Sequence, residues 1–583
     1  MSIIYLDSHN FYARTNKFKE KGIPLDEVQL ITSSKKELGD YQINDAMKLA
    51  KVMHKSPRDI AEDLVKCLEE TGYFKNINIA GAGFINLSFK DELLTEYVEK
   101  VIKSSPKDVE KLNEERIIID YGGANIAKTL HVGHLRSANI GEALKRLAKR
   151  LGKEVISDVH FGDIGRQSGM VIYELKERYP NLNYFSGKEE TTWDELPITG
   201  EDLEEIYPTA SIKAKENEEI MDEVREITAE LESGKNKGYV ALWDKIKEIS
   251  TKDIKSIYKE LNTDFDLWEG ESDAYPYIKE TIDIMEKSGY LVESEGAKIV
   301  EVIEDTDKAP MPPLIVLQSN GATLYATREL ATITSRMKRF NPKEIWYVVD
   351  MRQSLYFEQV FRAAYKTGLV SKDTVLEYYG FGTMNGTDGK PFKTRDGNAA
   401  TLKSLIQSVK EEILTHMNKD MDNKEEIAEK ITIAAIKYAD FLPNRTTDYI
   451  FEPSKFIDVE GKTGPYILYN TIRMKSILKK AEERGIDYSN YYNKPTDTEK
   501  EIILLLMEKN NILHKAYNNK DLSSIADYLY NLTSLYSRFY EANHILTESD
   551  EKIKESWLTL TKLVKETNEE LLDILAIEAP EKM

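Results

Sequence analysis

The chain has 583 residues, of which 41% are hydrophobic and 31% charged, and a formal net charge of −21. This length fits three or four domains of ordinary size, and the acidic balance argues against a general nucleic-acid binder coated in lysine and arginine. The single cysteine excludes an internal disulfide and any zinc site of several thiolates. No secretory signal or apolar run long enough to cross a bilayer is visible, so we expect a cytoplasmic protein.

Residues 1–110 predict a separate α/β domain. Residues 39–44 lead into an amphipathic helical pattern. Residues 77–87 are typical of two strands around a glycine turn.

Residues 111–455 alternate short apolar strands with helical periods, a pattern typical of a parallel sheet with crossover helices. The predicted strands are 116–120, 155–159, 345–349 and 376–381. Residues 181–270 are rich in glutamate and lysine and predict a helical insertion, to which the sequence assigns no chemistry.

Residues 456–583 are predicted to be wholly helical. An apolar stripe at helical spacing indicates a buried helix face, formed by Leu522, Ile525, Leu529, Leu532 and Phe539. We expect an all-α bundle here.

A turn with two histidines, His131-Val-Gly-His134, follows the predicted strand 116–120 and precedes a helical pattern for which Ser137 is the expected N-terminal signal. Imidazoles donate hydrogen bonds to phosphate oxygens, and a helix N-terminus offers free backbone N–H groups. The turn therefore predicts an ATP site. The spacing alone is equally compatible with two structural histidines.

A basic loop with glycines at both ends spans residues 386–397 and contains Lys390, Lys393 and Arg395. These side chains are suited to contact a leaving pyrophosphate. Taken alone, such a loop is more often an ordinary surface turn.

The run from Asp120 to Ser137 resembles the first signature of class I aminoacyl-tRNA synthetases, in the form that arginyl-tRNA synthetases use. The basic loop resembles the KMSKS loop of that class, with Lys390 and Lys393 at its first and second lysines. The resemblance extends from end to end and is strongest in the middle of the chain. It implies a Rossmann-like α/β catalytic domain (111–455), an α/β N-terminal domain that contacts tRNA and an all-α domain that binds the anticodon.

The resemblance also implies the residues that handle ATP. Catalytic roles fall on His131, His134, Lys390 and Lys393. The same four residues bind ATP, together with Lys128 and Gly133.

Carboxylates and carbonyl-type acceptors best hold the planar guanidinium of arginine. The resemblance implies arginine binding by Asp120, Asn125, Tyr325, Glu329 and Gln353. Tyr325 and Glu329 are spaced to face the same way on a helix, and Gln353 follows a strand end, where open α/β sheets bind ligands. Tyr325 is equally compatible with a core position.

Two departures from the family pattern concern this pocket. Family members commonly have Ser-x-Pro where this chain has Gly122-Gly123-Ala124, which predicts a softer loop. They also commonly have aspartate where this chain has Glu329, whose side chain is longer by one methylene. A paralogue with altered sensitivity to arginine analogues is therefore also compatible with the sequence.

The implied activity is ATP-dependent attachment of L-arginine to its tRNA through an arginyl-adenylate. Magnesium is expected to accompany ATP, with no protein-bound metal. The implied protein is a monomer that binds neither DNA nor membranes. Two rival functions are those of a nucleotidylyltransferase of the same fold that does not use tRNA, and of a catalytically silent tRNA-binding relative.

The implied tRNA contacts come from both ends of the chain. In the N-terminal domain they are Tyr41, Gln42 and Asn44, which are suited to an unpaired base. In the helical domain they are Tyr466, Tyr469 and Arg473, since aromatic stacking and arginine contacts suit a splayed loop. A structural role in a capping loop for the first three, and buried packing for either tyrosine of the second group, are equally compatible.

Overall fold

The chain divides into two units in a computed structural model. It describes all residues except 1–5, 8–9, 15–16, 26, 34–35, 105–108, 189, 391–400, 419–420 and 583. The central unit holds residues 113–457 and 575–578, and the terminal unit holds residues 1–112, 458–574 and 579–583. In the described part of the chain, no helix is both long and apolar enough to span a bilayer.

A parallel sheet of four strands forms the centre of the central unit. In spatial order its strands are Val375–Tyr378, Glu344–Tyr347, Arg116–Asp120 and Glu154–Asp158. Three consecutive isoleucines of the third strand are fully buried, because helices cover the sheet on both faces in such folds. The four predicted strands are confirmed, with small shifts of their bounds.

Helices connect and cover these strands. They are Val132–Arg150, Arg166–Arg178, Gly200–Glu216, Glu218–Glu232, Lys237–Glu260, Tyr275–Lys287, Tyr325–Phe340, Ser354–Thr367, Leu402–His416, Lys424–Phe441 and Pro453–Phe456. The predicted insertion contains three of them, between residues 200 and 260, and its helical character is confirmed.

Smaller strands complete the central unit. An antiparallel sheet contains Leu291–Ser294, Ala297–Val300 and Leu314–Leu317. A short parallel pair joins Met384–Asn385 to Tyr449–Ile450.

The terminal unit begins with two antiparallel sheets. One contains Leu6–Asp7, Asn10–Arg14 and Glu27–Gln29, and the other contains Ile31–Thr32, Tyr41–Ile43, Phe74–Ala80 and Phe84–Phe89. The helices here are Lys17–Glu20, Asp45–Met53, Pro57–Glu69 and Asp91–Lys103. The predicted glycine turn is confirmed, and Gly81 there has a positive φ of 54°.

Four long helices form the rest of the terminal unit: Gly464–Glu483, Asp497–Asn519, Ser523–Ala542 and Glu551–Ile574. This all-helical prediction is confirmed, and the apolar stripe from Leu522 to Phe539 is buried.

Ion pairs and hydrogen bonds join these helices to the first 112 residues. Lys500 Nζ lies 2.6 Å from Asp40 Oδ1, and Glu508 Oε1 accepts hydrogen bonds from Thr32 Oγ1 (2.7 Å) and the Tyr41 hydroxyl (3.2 Å). The N-terminal segment therefore lies in one unit with the helical bundle, and the predicted domain bounds stay predictions.

Candidate active site

The two histidines of the signature turn cap the helix that follows them, Val132–Arg150, which we call the signature helix. The backbone N–H of Gly133 donates to His131 Nδ1, and the backbone N–H of His131 donates to His134 Nδ1, both at 3.0 Å. A neutral imidazole that accepts at Nδ1 carries its proton on Nε2. The imidazole of His131, which is exposed, therefore presents an N–H donor to solvent.

Both imidazoles favour the neutral form. Although His131 keeps an exposed face, the protein atoms around the rest of its ring partly desolvate it and lower its pKa, and the positive charges of Arg352 and Lys128 lower it further. Burial and the neighbouring His131 lower the pKa of His134 to about 3. The turn therefore offers the neutral N–H donor of His131 at neutral pH.

Ser137 is not the N-terminal signal of the helix, which begins five residues earlier, at Val132. Its hydroxyl instead accepts from the Gly122 N–H (2.8 Å) and donates to the Val348 carbonyl (2.6 Å). Ser137 thus joins the signature helix to the ends of two sheet strands.

The Gly122 backbone is held on both sides, since its carbonyl also accepts from the Tyr258 hydroxyl at 2.9 Å. Its φ of 93° favours glycine, and a Cβ there would lie 2.9 Å from the Phe265 ring. These contacts hold the Gly122 backbone in one position, and the softness of the loop stays a prediction.

A buried cluster of charged side chains lies at the carboxyl ends of two neighbouring strands. Asp120 and Asp158 are paired in register, and Arg336 Nη2 donates to both carboxylates, at 2.6 and 2.7 Å. Asp120, Asp158 and His160 each bring a potential metal ligand to within 4.8 Å of the others. The guanidinium of Arg336 already supplies positive charge there.

The charges in this cluster shift one another's pKa values. Burial opposes ionisation of Asp158, but His160 and Arg336 more than offset it and lower the pKa of Asp158 to about 2. Burial alone would lower the pKa of His160, yet Asp158 and Asp120 raise it to about 9. We call the five residues Asp120, Asp158, His160, Arg336 and Glu329 the charged cluster.

Glu329 completes the charged cluster from the helix Tyr325–Phe340 and is 3% exposed. Burial raises its pKa, and the nearby Asp120 raises it further. In the described part of the chain its Oε1 atom is buried without a hydrogen bond of ordinary geometry, and the neighbouring Tyr347 hydroxyl, also buried and unpaired, opposes part of the rise in pKa. Such an atom is costly to leave unpaired, which marks a position where a ligand can donate. Tyr325, which starts the same helix, is 43% exposed and is not a core residue.

Three members of this cluster, Asp158, His160 and Arg336, are absent from the residues predicted from sequence. Asp158 ends the strand next to that of Asp120, and Arg336 follows Glu329 by seven residues on the same helix. The position of Asp158 at a strand end, and the spacing of Arg336 from Glu329 along one helix face, could have identified both residues from the sequence. His160 follows the same strand by two residues.

The other predicted residues of the central unit lie on loops and turns. Asn125 pairs with Gly162 across a short bridge, and Lys128 Nζ lies 4.6 Å from the centre of the Tyr207 ring. Gln353 is exposed in the turn Met351–Gln353, and Lys390 is exposed at the end of the described part of its loop.

Lys393 and Arg395 lie outside the described residues. Thr401, directly after that stretch, forms an antiparallel bridge with His131. The chain therefore returns from the basic loop to the signature turn.

The predicted N-terminal contacts differ in exposure. The ring of Tyr41 is 1% exposed and its hydroxyl donates to Glu508, so it has no face on which to stack a base, and that prediction is wrong. Gln42 Nε2 donates to Asn86 Oδ1 at 2.9 Å. Asn44 precedes the helix Asp45–Met53 without capping it through its side chain.

A cavity of about 1140 Å³ lies among the helices of the terminal unit, and its lining holds more lysines than carboxylates, the latter being Glu482, Glu566, Glu569 and Glu581. The Arg473 guanidinium lies between two of its tyrosines, 4.7 Å from the ring centre of Tyr469 and 5.0 Å from that of Tyr540. Tyr469 is 43% exposed, whereas Tyr466 packs against Tyr530, with ring centres 5.8 Å apart. The cavity's lysines are Lys475, Lys479, Lys480, Lys562, Lys565 and Lys582.

Three family models match the chain. Residues 97–453 match the catalytic domain of class I tRNA synthetases (R), residues 467–583 the DALR anticodon binding domain, and residues 9–89 the arginyl tRNA synthetase N-terminal domain.

Curated relatives and solved structures agree with these models. The chain is 44% identical to an arginine–tRNA ligase of Alkaliphilus oremlandii over 97% of both chains, and 40% identical to one of Agathobacter rectalis over 98% of both. The arginyl-tRNA synthetase structure from Plasmodium falciparum covers 97% of both chains at 25% identity and a TM-score of 0.78. The fold is also that of the Thermus thermophilus enzyme (TM-score 0.79, 21% identity, 97% of this chain and 98% of that chain). The chain therefore belongs to the arginyl-tRNA synthetase family, with the class I fold that the signature turn and parallel sheet indicate.

Proposed function

We propose that this protein attaches L-arginine to its tRNA at the expense of ATP. In the first step the arginine carboxylate attacks the α-phosphorus, the bond to pyrophosphate breaks, and arginyl-adenylate forms. In the second step the 2′-hydroxyl of the terminal adenosine attacks the activated carbonyl carbon and AMP leaves. The enzyme supplies mainly positioning and charge stabilisation in both steps.

The observation that carries this proposal is the unpaired Oε1 atom of Glu329, buried beside the other carboxylates of the charged cluster. A guanidinium would give this oxygen a charge-assisted donor in a planar geometry that lysine does not match. Tyr325 and Gln353 are exposed at the same end of the sheet, where they are free to contact the ligand. Asp120 and Asn125 complete the proposed arginine-binding set.

The ATP site is proposed at the signature turn. The neutral imidazole of His131 donates through Nε2, and that of His134 lies against it with ring centres 4.0 Å apart. Lys128, Gly133, Lys390 and Lys393 complete the proposed set. The bridge between Thr401 and His131 supports an approach of the basic loop to the triphosphate. Magnesium would travel with ATP and bridge its phosphates.

We further propose that the terminal unit binds the tRNA. The ring–guanidinium–ring arrangement of Tyr469, Arg473 and Tyr540 borders a cavity whose lysines outnumber its glutamates, which suits unpaired bases and their phosphates. Tyr466 stays a proposed contact through its polar edge. Near the other end of the chain, Gln42 and Asn44 stay proposed contacts.

Aminoacylation of total tRNA with each labelled amino acid, ATP and magnesium tests the proposed function. We expect arginine alone to be charged. Charging of another amino acid would contradict the arginine pocket, with Glu329 the first residue to re-examine. Retained tRNA binding without any charging would instead favour a catalytically silent relative.

A further inference from the structure

Arg352 is a cation held in a fixed orientation at the end of a sheet strand. It lies in the turn Met351–Gln353, which follows the strand Glu344–Tyr347, and its side chain is 82% exposed. Its Nε and Nη2 atoms donate to the two carboxylate oxygens of Asp350, at 2.8 and 2.6 Å. The backbone N–H of Arg352 also donates to Asp350, at 2.8 Å.

This forked pairing leaves Nη1 without a hydrogen bond in the described part of the chain. A guanidinium so held loses less conformational freedom when it binds an anion, because its plane is already oriented. A surface arginine paired with a carboxylate does not by itself indicate an anion site, since such pairs are common and weak. The position of Arg352 in the fold therefore decides whether it binds an anion.

The Arg352 turn lies between the two elements proposed to bind ATP. On one side, Ser137 of the signature helix donates to the carbonyl of Val348, two residues before Asp350. On the other side, the Met351 N–H donates to the Phe381 carbonyl at 3.1 Å, and the basic loop begins five residues after Phe381, beyond the strand Met384–Asn385.

The electrostatics agree with this placement. The charges of Arg352 and Lys128 both act on His131 and, after burial, lower its pKa. Arg352 therefore adds to the positive potential at the signature turn, which a polyanion would meet on entering.

We propose that Arg352, positioned by Asp350, is a further residue that binds the triphosphate of ATP. This inference rests on the proposed function, in which ATP lies between the signature turn and the basic loop. The free Nη1 edge would donate to a phosphate oxygen, while Asp350 keeps the plane of the guanidinium fixed.

Equilibrium dialysis of labelled ATP with magnesium, without arginine or tRNA, tests the proposal on the full chain. We expect Arg352→Gln to weaken ATP binding about tenfold, the effect of losing one charge-assisted hydrogen bond at an exposed site. Arg352→Lys keeps the charge without the fork and should fall between that variant and the wild type. In aminoacylation, KM for ATP should rise while KM for arginine stays within about twofold.

Arg225→Gln is the matched control, because Arg225 is also an exposed arginine paired with carboxylates, on the insertion helix Glu218–Glu232. It should leave ATP affinity unchanged. Equal ATP affinity of Arg352→Gln and the wild type would overturn the proposal, as would a rise in KM for arginine alone. If the wild type binds ATP but charges no arginine, the proposed function fails while the affinity comparison still decides the role of Arg352. If the wild type binds no ATP, both fail.

Discussion

Glu329 shows how a single side chain sets the chemistry of a pocket. A carboxylate buried with an unpaired oxygen is unfavourable in the empty protein, and burial accordingly raises its pKa. A ligand that donates to Oε1 recovers that cost on binding. We therefore expect Glu329 to add affinity for a cationic ligand, and the length of its side chain to set where that ligand lies.

Shortening Glu329 to aspartate should change the choice between arginine and its oxygen-containing analogue canavanine. The aspartate carboxylate lies one methylene farther from the guanidinium, so their contact becomes longer. KM for arginine should rise roughly tenfold, which corresponds to about 1.4 kcal/mol of binding free energy. The ratio of kcat/KM values for the two substrates should shift with it. Glu280→Asp, at a surface carboxylate paired with Lys338, is the control. Identical ratios for wild type and Glu329→Asp would refute a specificity role for the extra methylene.

Lys393 is expected to stabilise charge on the departing pyrophosphate. Lys393→Ala should slow adenylate formation by roughly 100- to 1,000-fold, the usual effect of removing one charge-stabilising donor. Single-turnover measurement with tRNA present separates this step from product release. Lys372→Ala removes an exposed lysine elsewhere in the central unit and should have no effect. A near-normal rate in Lys393→Ala would exclude the role.

At the scale of one element, the side chains of His131 and His134 cap the N-terminus of the signature helix. Helix N-caps are most often serine, threonine, aspartate or asparagine, which is why the sequence pattern favours Ser137 as the signal. Histidine Nδ1 atoms accept from the backbone instead, so the caps also orient the rings. Strand bounds were predictable from apolar runs, whereas this cap depends on a tautomer that no sequence pattern encodes.

Gly133→Ala should separate the fold of the signature helix from its chemistry. A Cβ at residue 133 would lie 2.7 Å from Cε1 of His131, so the imidazole must move. We expect ATP affinity to fall at least about tenfold. The melting temperature should stay within about 2 °C, since alanine's better helix propensity offsets part of the lost cap. Unchanged ATP affinity would mean that the ring position is immaterial. A collapse of the melting temperature would mean that the cap holds the helix.

At the scale of the whole molecule, the alternation of strands and helices correctly predicted the class of fold. Spatial groupings that join distant segments were harder to predict. Arg336 contacts Asp120 and Asp158 across separations of 216 and 178 residues, and Tyr41 lies 467 residues before its partner Glu508. The resemblance implied a tRNA contact for Tyr41, and its burial was not visible from sequence because its partner Glu508 lies in another predicted domain.

Lys437 makes the stability of the central unit depend on pH. Its amino group is fully buried without a hydrogen-bond partner in the described part of the chain, and burial lowers its pKa to about 7 from 10.5. Between these values the unfolded chain binds the extra proton, so stability should rise with pH across that range. Lys437→Met should abolish this slope and stabilise the protein at pH 7, by a few kcal/mol at most.

Urea unfolding at several pH values between about 7 and 10 measures this effect. Lys430→Met removes a partly exposed, ion-paired lysine from the same helix and should leave the slope unchanged. An equal slope in Lys437→Met and the wild type would show that Lys437 stays charged in the folded protein.

The terminal unit combines segments from both ends of the chain, so the ribosome synthesises its two parts at different times. Residues 1–112 meet their helical partners only after roughly 350 further residues have been synthesised, which at about 5–20 residues per second takes about 20–70 s. The central unit also takes residues 575–578 from the end of the chain, and Leu575 and Ala576 there are fully buried. Neither unit is complete until residues 575–583 have been synthesised. Until residue 508 has been made, the nascent chain exposes the face of Tyr41 and Thr32 that Glu508 later covers, and during this interval we expect the ribosome-bound chain to need protection by chaperones.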